Sequence, residues 1–243
     1  MDNALMIGMQ TQMVLQRRME AVANNIANVA TTGFKADNFA FEMDEGAAHD
    51  SGKVPDIRFV REAGLVRDMT TGPIAHTGNP LDVAIDGPGF FSVQGQDGQT
   101  LYTRDGSFTL AADGRLMSAA GQAVLSESGA PLVFDLRGEQ PVIDKTGSIS
   151  IAGVEAGKIG IFQFDAPEGL EKVGDNSYSA AGQTAAPASD SRVIQGALEG
   201  SNVRAVVELT RLIEISRAYE SAARMVNGDD DLRKNAIQVL GRA

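Results

Sequence analysis

Asp82 and Asp86, within Leu81-Asp82-Val83-Ala84-Ile85-Asp86, come nearest in this sequence to a carboxylate pair for acid–base work. Such work needs both carboxyls within reach of one reacting bond. The alternation of apolar and polar residues predicts a strand, which puts the two side chains on one solvent-facing side, about 13 Å apart by rise. That is too far for a dyad. Gly87-Pro88-Gly89-Phe90-Phe91 shares glycines with a phosphate loop but lacks the Gly-Lys-Ser/Thr ending and leads into a strand, so it is predicted to be a turn. The Asp-Gly steps at 97–98, 105–106 and 113–114 do not sit in a calcium-loop pattern, and hairpin turns use the same dipeptide. Asp229–Asp231 reads as a solvated helix break rather than a metal site. His49 falls in an acidic stretch and His76 before a turn, neither with a partner in sequence. With no Cys, a disulfide framework, a thiolate zinc site and a cysteine nucleophile are excluded. No catalytic residue, metal site or cofactor is predicted, and the chain does not read as an enzyme; a hydrolase using the Asp82/Asp86 face is the rival.

The elements that hold these residues are of two kinds. The 243-residue chain carries a net charge of −11, which disfavours nucleic acid and other polyanions as partners. Residues 1–35 hold three bases and two acids, and residues 201–243 hold seven bases and six acids. The middle therefore carries the acidity, and it also holds all 8 prolines and 23 of the 27 glycines. Near-neutral ends can crowd together without strong repulsion, whereas exposed acidic surface keeps a central domain soluble. High salt is therefore expected to alter contacts between central domains more than contacts between the ends.

Residues 3–29 predict one amphipathic helix of about 40 Å. Leu15, Met19, Val22, Ile26 and Val29 keep the 4,3,4,3 spacing of a coiled-coil seam. Five of the nine Met lie in or just before this segment (Met1, Met6, Met9, Met13 and Met19), which suits an adaptable interface. Thr31-Thr32-Gly33 should end it. A signal peptide is disfavoured by Asp2 and by the polar Gln10, Gln12, Gln16 and Arg17, and no apolar run is long enough to insert in a membrane. A second helix is predicted over 202–227, capped by Ser201 or Asn202, with Leu209, Leu212, Ser216, Tyr219, Ala223 and Val226 as its seam. Asn227-Gly228 and the three Asp should interrupt it before a short helix over 232–240.

Between the ends, short apolar runs alternate with turn signals, which predicts an all-β domain. The three Asp-Gly steps imply a meander, and further strands are expected at 131–136, 142–144, 148–151 and 158–164. Residues 165–190 read as irregular loops. Glu42–Asp56 holds five acids, two Gly and one Pro and reads as exposed linker. The expected fold is α+β: an axial helical domain from 1–35 with 201–243, paired as a coiled coil, a linker over 36–56, and a central β domain over 57–200. A protease-resistant core near 57–200 with mobile ends follows. The axial packing set is Leu15, Met19, Val22 and Ile26 with Leu209, Leu212, Tyr219 and Val226.

Four stretches then align with one family. Ala23-Asn24-Asn25-Ile26-Ala27-Asn28-Val29-Ala30-Thr31-Thr32-Gly33-Phe34-Lys35 closely resembles the N-terminal motif of bacterial flagellar rod and hook proteins. Thr77 to Phe91, with Asn79, Leu81, Asp82, Ile85, Asp86, Gly87, Gly89, Phe90 and Phe91, is similar to the start of that family's β domain, and Tyr102 to Phe108 continues it. Ser201-Asn202-Val203 and Arg217-Ala218-Tyr219-Glu220 resemble its C-terminal helix. The short chain and compact linker resemble proximal rod members more than distal rod members; a secreted β-rich binding module with a helical stalk is the alternative from another class. The resemblance implies a structural subunit of the basal-body rod that transmits torque and spans the periplasm. It implies export by the flagellar type III apparatus without a cleaved signal peptide. It also implies partners among proximal and distal rod proteins and copies of itself. Asn24, Asn25 and Asn28 are expected to fix helix register or contact neighbours.

Overall fold

The computed structural model describes residues 2–43, 60–135 and 139–240. The fold is mixed α and β, with two long helices flanking a β-rich middle. It divides into two compact units: Met1–Ala27, Asp37–Val66 and Arg204–Ala243 form one, and Asn28–Ala36 with Arg67–Val203 form the other. The segment 28–36 thus goes with the β unit although it directly follows the first helix.

In the helical unit, α1 spans Asp2–Ala27 and α2 spans Ala205–Leu240. They lie antiparallel: Asn25 meets Glu208 near one end, and Gly8 sits against Val226 near the other. A Cβ on Gly8 would stand 2.6 Å from a Val226 methyl, so this crossing leaves no room for a side chain. The break expected at Asn227–Asp231 is absent, and α2 runs through it as one helix of 36 residues. Asn, Asp and Gly each weaken a helix by about 1 kcal/mol or less relative to Ala, and without a proline that does not outweigh a continuous backbone ladder. Nothing stands within 4 Å of where a Gly228 Cβ would be. Gly228→Ala is therefore expected to stabilise α2 by up to about 1 kcal/mol, read as a higher thermal midpoint of the far-ultraviolet helical signal. The expected cap is also corrected. The helix begins at Ala205, and Ser201 and Asn202 bond elsewhere.

The segment expected as linker opens with a strand, Asp37–Met43, which pairs with Val60–Arg67. Residues 44–56 of that linker lie outside the described residues.

The β unit is built round one extended sheet. Its order is Glu171–Gly174, Ser177–Ser179, Thr100–Thr103, Phe90–Gln94, Ala123–Val124, Leu116–Ser118 and Phe108–Leu110. Ile161–Gln163 joins it by pairing with Phe90–Gln94, and Ala186–Pro187 pairs with Ile161–Gln163 in turn. Val142–Ile143, Ser148–Ile151 and Val154–Lys158 form a three-stranded sheet, and Val83–Asp86 pairs antiparallel with Arg192–Gln195. The core gathers Val83, Ile85, Phe91, Val93, Phe108, Leu116, Val124, Ile149 and Ile159. Phe91 and Phe108 meet edge to face at 5.1 Å, the arrangement their ring quadrupoles favour.

Several turns depart from expectation. Asp97-Gly98 and Asp113-Gly114 lie between antiparallel partners, with Gly98 and Gly114 at positive φ. Asp105-Gly106 does not make a hairpin, because Thr100–Thr103 and Phe108–Leu110 are not paired. Gly106 instead passes so close to Val83 that a Cβ would stand 1.7 Å from its carbonyl oxygen. Close approach, not turn geometry, sets that glycine. The stretch 165–190 is not irregular throughout: it contributes Glu171–Gly174, Ser177–Ser179 and Ala186–Pro187. Its hairpin turns at Asp175-Asn176, both at positive φ, a conformation these two residues tolerate in place of the Asp-Gly signal. Of the strand expected at 131–136, residues 131–135 give only isolated bridges at Pro131 and Val133, and residue 136 lies outside the described residues; the stretch 158–164 holds the last residue of Val154–Lys158 and the whole strand Ile161–Gln163.

Candidate functional site

Asp82 is not solvent-facing. It is buried, accepting from the Thr77 hydroxyl at 2.6 Å and from the Asn79 side-chain amide at 2.8 Å. Asp86 is exposed at the end of the strand Val83–Asp86, in which Val83, Ala84 and Ile85 are all buried. The two carboxylates therefore do different things: Asp82 fixes the turn that starts the strand, and Asp86 meets solvent. Leu81 packs on the core, Phe91 lies within it, and Phe90 joins a second aromatic cluster with Tyr102, Phe164 and Tyr178. Gly87 and Gly89 hold positive φ on either side of Pro88. The β-domain motif thus supplies core and turns.

Asp105 follows the same logic of burial. Its carboxylate accepts from the Ser107 amide at 3.0 Å and the Ser107 hydroxyl at 2.6 Å. Burial pushes its pKa above the ordinary carboxylate value and the nearby Asp82 pushes the same way, while the Ser107 bonds pull against them. A raised folded pKa means that the native state holds more protons than the unfolded chain, from about pH 4 up to that raised value. Asp105 therefore removes stability as pH rises through that window. Asp105→Asn should gain stability relative to the parent over the same window, measured as the difference in urea midpoints at several pH values; a constant difference would refute it.

A buried polar cluster in the β unit centres on Glu199. This residue is 0% exposed, and its partners Lys35 and Arg104 are 1% and 4% exposed. Lys35 Nζ donates to Glu199 Oε1 at 2.6 Å and to the Thr70 carbonyl at 2.7 Å. The Gly72 amide donates to the same Oε1 at 2.9 Å, and Arg104 Nη1 donates to Oε2 at 3.2 Å. Arg104 Nη2 also donates to the Gly87 carbonyl at 2.9 Å. Burial lowers the Lys35 pKa, with Glu199 opposing and Arg104 adding to the fall, and burial likewise lowers that of Arg104. Two cations thus share one fully enclosed carboxylate.

The N-terminal motif threads this cluster. Asn176 donates to the Thr32 carbonyl at 2.7 Å, the Gly33 amide donates to the Glu199 carbonyl at 2.7 Å, and Phe34 packs with Ala36 and Val203 beneath the Lys172 ammonium. Asn202 accepts from the Ala36 amide at 2.8 Å and donates to the Asp68 carbonyl at 2.7 Å. Lys35 and Gly33 were visible in sequence as motif residues. Glu199 and Asn202 as their partners were not, because nothing local marks a pairing across 164 or 166 positions.

In the helical unit, Asn25 is buried. Its side chain accepts from the Asp37 amide at 2.9 Å and donates to the Asp37 carbonyl at 2.9 Å and to Glu208 Oε2 at 3.1 Å. Glu208 in turn accepts from Arg211 at 2.6 Å. Asn24 is exposed, and Asn28 accepts from the Thr31 hydroxyl. Of the expected packing set, Leu15 and Val22 are buried, while Met19, Ile26, Leu212, Tyr219 and Val226 are half-buried. Leu209 differs, at 48% exposed, with Glu208 taking the buried place beside it. Met6, Met9 and Met13 on α1, and Val206, Leu209 and Ile213 on α2, form exposed stripes with the same 3,4 spacing. No helix among the described residues is long and apolar enough to cross a membrane.

Known proteins match along the whole chain. Residues 5–35 match the family described as flagella basal body rod protein, residues 84–151 the flagellar hook protein FlgE/F/G D1 domain, and residues 194–239 the flagellar basal body rod FlgEFG protein C-terminal region. The flagellar basal-body rod protein FlgF of Caulobacter vibrioides is 41% identical, over 100% of this chain and 99% of its own. FlgF of Mesorhizobium japonicum is 35% identical over 99% of both chains. The rod protein FlgG of Agrobacterium fabrum is 34% identical over 93% of both.

Proposed function

The chain belongs to the flagellar basal-body rod proteins and is FlgF-like among them, and from that premise we propose that its two terminal helices are its assembly domain. As a structural subunit of the rod it joins other rod subunits; the finer reading is that α1 and α2 pair as an axial coiled coil with copies of the chain and with proximal and distal rod neighbours. It is exported by the flagellar type III apparatus without a cleaved signal peptide, sits in the rod where it spans the periplasm, and has no enzymatic role.

One observation supports this reading above the others. Each helix carries apolar residues beyond those buried in this chain: Met9 is 54% and Val206 78% exposed, each within a stripe at helical spacing. A helix that covers only its own core has one apolar stripe, and a second one calls for a further partner. Met9→Asp and Leu209→Asp should abolish swimming and remove complete rods from isolated basal bodies while leaving the β unit folded. A strain lacking the whole chain that still builds complete rods would overturn the rod reading.

A further inference from the structure

We propose that the buried cluster of Lys35, Glu199, Arg104 and Asn202 is a clamp that ties together the four places where the chain leaves the β unit, and so carries mechanical force into that unit. The proposal rests on the rod reading and adds to it a position for force transmission that the helices alone do not supply.

The chain leaves the β unit at 27/28, 36/37, 66/67 and 203/204. Three of these exits lie within two residues of one hydrogen-bonded knot. The Ala36 amide donates to Asn202 Oδ1, the Asp68 amide donates to the Ala36 carbonyl at 2.9 Å, and the Asn202 amide donates to the Phe34 carbonyl at 3.3 Å. Val203 packs on Phe34 and Ala36. The fourth exit, at 27/28, leads within a few residues to Gly33, whose amide is held by the Glu199 carbonyl. Beneath the knot, the Glu199 carboxylate binds Lys35 from the 28–36 segment, Gly72 from the 67–72 segment and Arg104 from the body of the β unit. Glu199 thus bonds to both incoming segments and to the body, and it belongs to the outgoing one. Backbone also meets backbone here, since a Cβ on Gly72 would stand 2.0 Å from the Gly200 carbonyl oxygen.

A set of separate exits would let each strand be peeled away singly. When all four are tied to one enclosed charge cluster, pulling any one of them loads the same hydrogen bonds and the core behind them. Force applied through the helices then reaches the β unit as a whole. Lys35, Asn202 and Glu199 are positioning residues in this scheme.

Lys35→Met and Asn202→Ala test it, because each leaves Glu199 paired with Arg104 and the Gly72 amide. In the full-length chain, the Gly33, Ala36 and Asp68 amides should exchange hydrogen at least about tenfold faster than in the parent, with the Ser92 and Leu125 amides of the core unchanged. In cells, isolated basal bodies should contain complete rods, and swimming speed relative to the parent should fall progressively as medium viscosity raises the load. Core amides accelerating together with the knot would overturn the clamp, as would missing rods or a speed ratio that stays constant with viscosity. Complete rods in a strain lacking the chain would instead overturn the rod reading, so the two failures are distinguishable.

Discussion

Glu199→Ala is expected to destabilise the β unit by about 3–5 kcal/mol, a large share of the roughly 5–15 kcal/mol that holds a typical domain together. The carboxylate is fully enclosed and receives Lys35, Arg104 and the Gly72 amide. Removing it strands two buried cations with only carbonyl partners, Thr70 for Lys35, and Gly87 with Ile85 for Arg104. It also orphans the Gly72 amide. Placing a buried charge without its counter-charge is among the most costly single changes a fold can undergo. Glu199→Gln is not conservative here. Its amide oxygen can serve Lys35 and Gly72, but its NH2 then faces the Arg104 donor at a site where the carboxylate accepts at 3.2 Å. Urea unfolding of the full-length chain checks both variants. A fall in midpoint of less than about 1 kcal/mol equivalent for alanine would show that water or local relaxation satisfies the cations, and the cluster would lose its central place.

The sequence signals that succeeded are those whose partners are near in the chain. Apolar periodicity marked the first helix, and Asp-Gly with flanking strand residues marked the turns at Gly98 and Gly114. Those signals depend on helix period and backbone dihedrals, which a few neighbouring residues determine. The Glu199 cluster depends on four segments, around Lys35, Gly72, Arg104 and Glu199 itself, brought together only by the fold. In Gly196-Ala197-Leu198-Glu199-Gly200, a single acid next to a glycine looks like any exposed turn carboxylate. Arg104 and Lys35 stood out only by resemblance, with no visible reason for their charge. Helix α2 shows the opposite failure: local breakers at 227–231 were read as decisive, while the ladder of the surrounding helix absorbs their small penalties. Asp175-Asn176 shows a third kind. The positive φ that a tight hairpin needs is supplied there by Asp and Asn, which tolerate it, without the Asp-Gly dipeptide that marked the other turns. Asp82 is a further case: its Thr77 and Asn79 partners were close at hand, but its burial was not readable from alternation alone.

Gly33→Ala is expected to cost roughly 3 kcal/mol or more, by two effects that a chosen control separates. Gly33 holds φ at +65°, where an L-residue loses about 1–2 kcal/mol. A Cβ there would also stand 2.5 Å from the Arg104 carbonyl carbon, 2.6 Å from the Asp105 amide nitrogen and 2.7 Å from the Arg104 carbonyl oxygen. All three are backbone atoms of a segment anchored by the Arg104 guanidinium and the Asp105 carboxylate, so no side chain can swing aside. The chain at 33 must back away, and the 2.7 Å bond from its amide to the Glu199 carbonyl is lost with it. Gly98 provides the comparison: it holds φ at +75° with nothing within 4 Å of the added atom. Gly98→Ala should therefore lose only the dihedral penalty of about 1–2 kcal/mol. The difference between the two urea midpoints isolates the close approach of residues 33 and 104. Equal losses would mean that the contact yields without cost; a larger loss at 33, with faster exchange at the Ala36 amide, would mean that seating the N-terminal motif against Arg104 holds the 28–36 segment in the β unit.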